Sequence, residues 1–224
     1  MAEPVRFYFD FISPYAYLAF TQIHAVASRA GREVELTPIL FAALLDANGT
    51  IGPAEVPSKR IYVFKDTLRS AHALGVVLAP PPAHPFNPLL ALRVCSIDMP
   101  EDDRQRLVGA LYAAVWGGGP GVVGEANVAR IATEAGFDGD TLVRAASTPE
   151  IKQRVRERTD EAIARGVFGV PTTLVDGELF WGLDSLAHAE RRMRGQDPVT
   201  PELLAGFRDV PAQSVRARMR KPAE

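Results

Sequence analysis

Ser13 and Pro14 stand where an apolar run, Val5-Arg6-Phe7-Tyr8-Phe9-Asp10-Phe11, gives way to a helical pattern. Serine is a preferred N-cap residue, because its hydroxyl accepts a first-turn N–H. Proline suits the first helical position, because the N–H it lacks would be unpaired there. The pair marks a helix start from both sides. Such a start gathers several unpartnered N–H groups and roughly half a positive charge, so an anion can be held beside the Ser13 hydroxyl. The chemistry on offer is stabilisation of a negatively charged atom. The competing reading is a plain helix cap, the role that most Ser-Pro pairs play.

Other reactive residue types offer less. His24, His72, His84 and His188 lack metal-ligand spacing and read as core or surface residues, so no metal site is expected. Cys95 lies in Leu89-Leu90-Ala91-Leu92-Arg93-Val94-Cys95, a helical run in which a free cysteine acts as a small buried hydrophobe. A single cysteine excludes a disulfide framework and a cysteine zinc site. Gly117-Gly118-Gly119-Pro120 lacks the Lys-Ser/Thr ending of a phosphate loop and reads as a turn. Asp66 and Arg69, three apart on one helix, read as a local ion pair. Trp116 and Trp181 read as large apolar residues first and substrate walls second.

These candidates need elements to position them. Val5 to Phe11 reads as a buried strand, the pattern from Tyr17 to Val26 as a helix ending at Gly31, and Glu33 to Leu40 as a second strand. Strand, helix and strand over about 40 residues make a unit whose strands run parallel with a right-handed crossover. From Phe41 to about Arg165 the strand signals give way to helical patterns: Phe41 to Ala47, Ser58 to Leu74, Pro88 to Ile97, Glu101 to Trp116, Glu125 to Ala135, Asp140 to Ala146 and Pro149 to Arg165. After Gly166, Val170 to Val175 and Glu178 to Trp181 flank Asp176-Gly177, a two-residue hairpin turn. Asp184 or Ser185 then caps a helix through about Met193. A short helix near Glu202 to Phe207 precedes a basic end, Arg216 to Lys221, expected to be mobile.

The 224 residues suffice for one domain with an insertion or for two small domains. Apolar residues make up 47% and charged residues 23%, as in ordinary soluble proteins, and a net charge of −2 gives no field to attract nucleic acid. No apolar run is long enough to span a membrane and no leader pattern precedes Val5, so a cytoplasmic location is expected.

A strand-helix-strand half, a helical insertion and a closing hairpin with helix resemble a thioredoxin-like α/β fold interrupted by an all-helical domain. The resemblance divides the chain into 1–40 with 166–224 and an insertion over 41–165, and implies that Pro171 is cis and faces Ser13. The chain has Ser13-Pro14-Tyr15-Ala16 where thioredoxin-like redox enzymes carry two cysteines, which rules out dithiol chemistry. Phe9 to Tyr17, Gly166 to Thr172 and Phe180 to Asp184, with Pro57-Ser58-Lys59-Arg60 and Pro85-Phe86-Asn87 between them, look like the 2-hydroxychromene-2-carboxylate isomerase family and the related kappa-class glutathione transferases.

That resemblance implies glutathione as cofactor and a small aromatic substrate. Ser13 would donate to the glutathione sulfur, at a tip completed by Pro14 and Tyr15. Val170 beside Pro171 would pair with the cysteinyl backbone. Asp184 would meet the glutamyl ammonium while N–H groups of Leu183 to Ser185 meet its carboxylate. Lys59 would face the cleft and hold a carboxylate. A thiol of ordinary pKa, about 8.5, is mostly protonated at neutral pH, and lowering it by about 2 units takes roughly 2.7 kcal/mol. The sequence departs from the family pattern where an asparagine nine positions before the lysine is common, since Thr50 stands there with Asn48 nearby. It departs also at Leu183 and Ser185. Relatives often pair as homodimers. Two competing functions share the site: a kappa-like transferase that consumes glutathione, and a catalytically silent module binding peptides along Pro171.

Overall fold

The structure, a computed structural model, describes residues 3–211, 213 and 214. Strand β1 (Val5–Phe9) leads through helix α1 (Pro14–Arg29) to strand β2 (Val34–Pro38). β1 and β2 run parallel, Val5 opposite Val34 and Phe9 opposite Pro38, as a strand-helix-strand unit requires. Ala30 closes α1, and Gly31 follows at φ 67°, a left-handed conformation that glycine adopts without a Cβ penalty.

Helices α2 (Phe41–Ala47), α3 (Pro57–Leu74), α4 (Leu89–Val94), α5 (Glu101–Trp116), α6 (Glu125–Glu134), α7 (Gly139–Ala146) and α8 (Pro149–Ala164) come next. α5 has the bounds that its pattern predicts, whereas α4 stops at Val94, short of the expected Ile97. Asn87 Oδ1, just before α4, accepts the Leu89 N–H at 3.0 Å. A 3₁₀ turn at Pro53–Glu55 was not anticipated; the Glu55 carboxylate accepts the Gly52 N–H there at 2.6 Å.

Strands β3 (Thr172–Val175) and β4 (Glu178–Trp181) form the expected hairpin. Its turn residues Asp176 and Gly177 both have positive φ, 49° and 82°, which matches the right-handed twist of the flanking strands. β3 pairs antiparallel with the free side of β1, Tyr8 opposite Thr172, giving the strand order β2-β1-β3-β4. Helix α9 (Leu186–Met193) follows. The expected side-chain cap is absent: Ser185 occupies the cap position with helical backbone angles and its hydroxyl donates instead to the Gly182 carbonyl at 2.9 Å. Helix α10 (Pro201–Arg208) agrees with the short helix expected there and has no buried residue. The basic end, Arg216 to Lys221, lies outside the described residues.

Alternation along β1 sends Val5, Phe7 and Phe9 to one face of the sheet and Arg6 and Tyr8 to the other. The first face packs on α1 through Leu18 and Ile23 and on α5 through Leu107, Leu111, Tyr112 and Trp116, all in one buried cluster. Phe9, Phe11 and Tyr112 run through it with ring centroids 5.5 and 4.8 Å apart. Tyr8 packs on the opposite face with Ile39, Leu44, Ala162 and Val170. Each such aromatic side chain contributes about 1.5–3 kcal/mol by burial. The helical segment and the sheet thus share one core, and the loop from Asp10 to Ser13 lies between them.

Candidate active site

Ser13 leaves the strand with extended angles, φ −94° and ψ 117°, and caps α1: its Oγ accepts the Ala16 N–H at 3.2 Å. The same hydroxyl donates to the Val170 carbonyl at 3.3 Å, across 157 positions of sequence. The Val170–Pro171 peptide is cis, as expected. The Pro171 carbonyl accepts the Gly182 N–H at 2.9 Å, which ties the proline loop to the end of the hairpin. Trp181 is half exposed and lies over Gly169, where a Cβ would come within 2.5 Å of its Nε1. Phe168 meets the same indole edge-on, centroids 5.1 Å apart. Only glycine at 169 admits this packing.

The tip of α1 keeps one donor in reserve. Pro14 has no N–H, that of Ala16 serves Ser13 Oγ, and that of Tyr17 serves the Ser13 carbonyl at 3.1 Å. The Tyr15 N–H makes no hydrogen bond among the described residues. An anion arriving here meets that N–H, the Ser13 hydroxyl and the positive end of the helix. The Tyr15 side chain turns aside, its hydroxyl donating to Asp66 Oδ2 at 2.7 Å. Burial, and then Asp66, push the Tyr15 pKa up, so it stays protonated. This bond corrects the expected Asp66–Arg69 pair: Asp66 serves Tyr15, and among the described residues no ion pair joins it to Arg69.

Leu183, Asp184 and Ser185 follow Gly182, whose φ of 98° turns the chain so that Asp184 Oδ1 occupies the space a Cβ at 182 would need, 2.5 Å away. The N–H groups of Leu183, Asp184 and Ser185 make no hydrogen bonds among the described residues, nor does the exposed Asp184 carboxylate. A groove of about 700 Å³ runs here, lined among others by Tyr15, Asp66, Trp181, Leu183 and Asp184. Ser13 and Pro171 do not line it; they adjoin it through Tyr15 and the Pro171–Gly182 bond.

The structure therefore brings Ser13, Pro14 and Tyr15 against Val170 and Pro171, and places Leu183 and Asp184 on the adjoining groove. Lys59 is exposed near the start of α3, does not line the groove, and makes no hydrogen bond or ion pair among the described residues. Asn48 spends its amide on the Leu44 carbonyl at 2.8 Å, and Thr50 is exposed. Cys95 is fully buried, and burial pushes its thiol pKa up, away from reactivity.

The apolar first strand concealed Asp10. Its carboxylate is buried beneath the tip and accepts the N–H groups of Ile12 at 3.1 Å and Phe41 at 2.9 Å. Burial outweighs these bonds and pushes its pKa up to about 7. Trp116, read first as a large apolar residue, is buried beside the site with Nε1 donating to the Phe11 carbonyl at 2.9 Å. Among the described residues there is no cluster of metal-ligating side chains and no helix long and apolar enough to cross a membrane.

Residues 4–194 match the DSBA-like thioredoxin domain. The 2-hydroxychromene-2-carboxylate isomerase of Sphingobium xenophagum is 31% identical over 192 residues, covering 85% of this chain and 97% of that protein. Its Pseudomonas putida counterpart is 31% identical over 191 residues, covering 84% and 93%. The chain belongs to the 2-hydroxychromene-2-carboxylate isomerase family. A solved structure of a selenomethionine-labelled 2-hydroxychromene-2-carboxylate isomerase superposes with a TM-score of 0.79 at 30% identity, covering 85% of this chain and 94% of that one. Glutathione S-transferase kappa 2 of Caenorhabditis elegans is related to the family member described here at 31% identity over 180 residues, 75% of this chain and 78% of the transferase. A probable DsbA oxidoreductase of Streptomyces coelicolor shares the fold, with a TM-score of 0.66 at 17% identity over 88% of this chain and 92% of its own.

Proposed function

We propose that this family member is a glutathione-dependent isomerase that converts 2-hydroxychromene-2-carboxylate, or a close aromatic analogue, into its ring-opened trans isomer, a step in aromatic hydrocarbon breakdown. The observation that carries the reading is the Ser13 hydroxyl at the tip of α1, 3.3 Å from the carbonyl that precedes cis Pro171, in a loop without cysteine. A hydroxyl there supports a sulfur supplied by a ligand; it does not itself exchange disulfides.

The residues present fit glutathione. Four unengaged donors, the Tyr15 N–H at the helix tip and the N–H groups of Leu183, Asp184 and Ser185 beside the adjoining groove, together with an Asp184 carboxylate that makes no hydrogen bond among the described residues, suit a ligand carrying a thiol at one end and an ammonium with a carboxylate at the other. Bound there, glutathione would supply a thiolate nucleophile for reversible addition to the unsaturated ring, the chemistry that a cis-trans isomerisation by ring opening needs. Ser13 donates to the sulfur. Accepting the Ala16 N–H polarises its hydroxyl and makes it the better donor. Val170 offers its backbone for strand-like pairing. Asp184 orients the ammonium, and Lys59, exposed near the start of α3, is the residue that family likeness offers for a carboxylate. On this reading 41–165 is an insertion whose helices wall the substrate against a thioredoxin-like half formed by 1–40 and 166–224.

The kappa-class relatives support a second reading, conjugation of glutathione to an electrophile. The test is an ultraviolet assay of the purified protein with 2-hydroxychromene-2-carboxylate, with and without glutathione, followed by a count of the remaining thiol. Isomerisation that needs glutathione and leaves it undiminished supports the proposal. Stoichiometric loss of thiol favours the transferase.

A further inference from the structure

Three consecutive carbonyls leading to Ser13 are each held by a ring donor from the helical segment. The Tyr112 hydroxyl donates to the Asp10 carbonyl at 3.4 Å, Trp116 Nε1 to that of Phe11 at 2.9 Å, and His84 Nε2 lies 3.0 Å from that of Ile12. From below, the Asp10 carboxylate takes the Ile12 N–H. Ile12, immediately before Ser13, is therefore gripped by side chains at both of its backbone polar groups. A carbonyl oxygen only accepts, so His84 Nε2 carries the proton. The other ring nitrogen, Nδ1, is buried without a partner, and a proton there would strand a second donor. Burial accordingly pushes the imidazole pKa down, and the ring is neutral. Phe64 and Trp116, each with its centroid 5.5 Å away, fix the ring plane, while the Arg60 guanidinium donates to the His84 carbonyl at 3.0 Å.

We infer that His84 is a positioning residue for Ser13: its Nε2–H sets the Ile12 carbonyl, and so the peptide rotation that aims the Ser13 hydroxyl at the sulfur. The inference rests on the proposed function for the sulfur and for the activity readout, whereas the grip on Ile12 stands on the geometry. Of the three donors His84 is the one that can be replaced without emptying the core, since Tyr112 and Trp116 are fully buried and His84 is only half buried. A misplacement of about 1 Å at a reacting group costs on the order of a hundredfold in rate.

His84→Phe keeps the aromatic contacts and removes the donor, whereas His84→Gln restores an amide N–H at a similar reach. The expected result is a kcat lowered by at least about tenfold in His84→Phe, with KM for glutathione within about twofold, and recovered to within about threefold in His84→Gln. In the same variants, hydrogen-exchange protection of the Ser13 amide, which shares a peptide with the Ile12 carbonyl, and of the Ala16 amide falls with Phe and returns with Gln. Should the Phe variant not fold, His84→Met against His84→Gln carries the same comparison. An unchanged kcat in the variant without the donor, or an equal loss in both, overturns the inference. If the wild-type protein shows no isomerase activity, the proposed function fails, and amide exchange still decides on the grip: undiminished protection in His84→Phe refutes it.

Discussion

Replacing Ser13 by alanine removes one oxygen that serves two partners in the structure and, on the proposed function, a third, and their contributions can be separated. As the α1 cap it accepts the Ala16 N–H, and losing a serine cap costs about 1 kcal/mol of stability. As a donor to the Val170 carbonyl it makes a bond of 3.3 Å, long for a hydroxyl and therefore weak. The hydroxyl sacrifices little in turning from that carbonyl to a bound sulfur. A hydrogen bond to a charged atom is worth about 1.5–3 kcal/mol, and each 1.4 kcal/mol is tenfold. Ser13→Ala should therefore raise the pKa of the bound thiol by about 1–2 units and lower turnover roughly ten- to a hundredfold. The Tyr15 N–H and the helix end persist in the variant, so a residual rate is expected. Thiolate absorbance of the glutathione complex against pH, measured beside turnover, checks both values, and thermal melting checks that the fold is intact. Unchanged turnover in a folded variant refutes the role given to the hydroxyl.

Asp10→Asn should change how stability depends on pH. Burial raises the folded pKa to about 7 from an ordinary 3.8, so the wild type is penalised as pH rises from about 4 through 7, by roughly 4 kcal/mol in all. Denaturant titrations at pH 5 and pH 8 should show wild-type stability falling relative to the variant, and parallel curves would contradict the assignment. Asp184→Asn should weaken glutathione binding by about three- to tenfold, the carboxylate being exposed, and leave saturated turnover nearly unchanged; calorimetry reads the first and kinetics the second. Phe9→Ala, which empties a fully buried position between sheet and helices, should cost about 3–5 kcal/mol by chemical denaturation.

Local chemistry made much of this architecture legible. Ser13-Pro14 marked the start of α1, Asp176-Gly177 the hairpin, and Glu101 to Trp116 the whole of α5, because in each case the deciding interactions lie within a few residues. The opposition of Ser13 and Pro171 was read through family likeness, since nothing local joins residues 158 positions apart. The pattern at Asp184-Ser185 misled for a physical reason: Gly182 at φ 98° redirects the chain, so that Ser185 bonds backward to the Gly182 carbonyl. Asp66 found Tyr15, 51 positions away, before Arg69. The donors that hold the Asp10 to Ile12 carbonyls come from 72 to 105 positions downstream, and Asp10 itself hides in an apolar strand. Such contacts have no sequence period, and only the packed core creates them.

The most direct test of the account is a crystal structure of this protein with glutathione bound. The account predicts the sulfur within hydrogen-bonding distance of both Ser13 Oγ and the Tyr15 N–H, the cysteinyl backbone paired with Val170, and the glutamyl ammonium at Asp184. Glutathione seated elsewhere, or a sulfur beyond reach of the Ser13 hydroxyl, would contradict it.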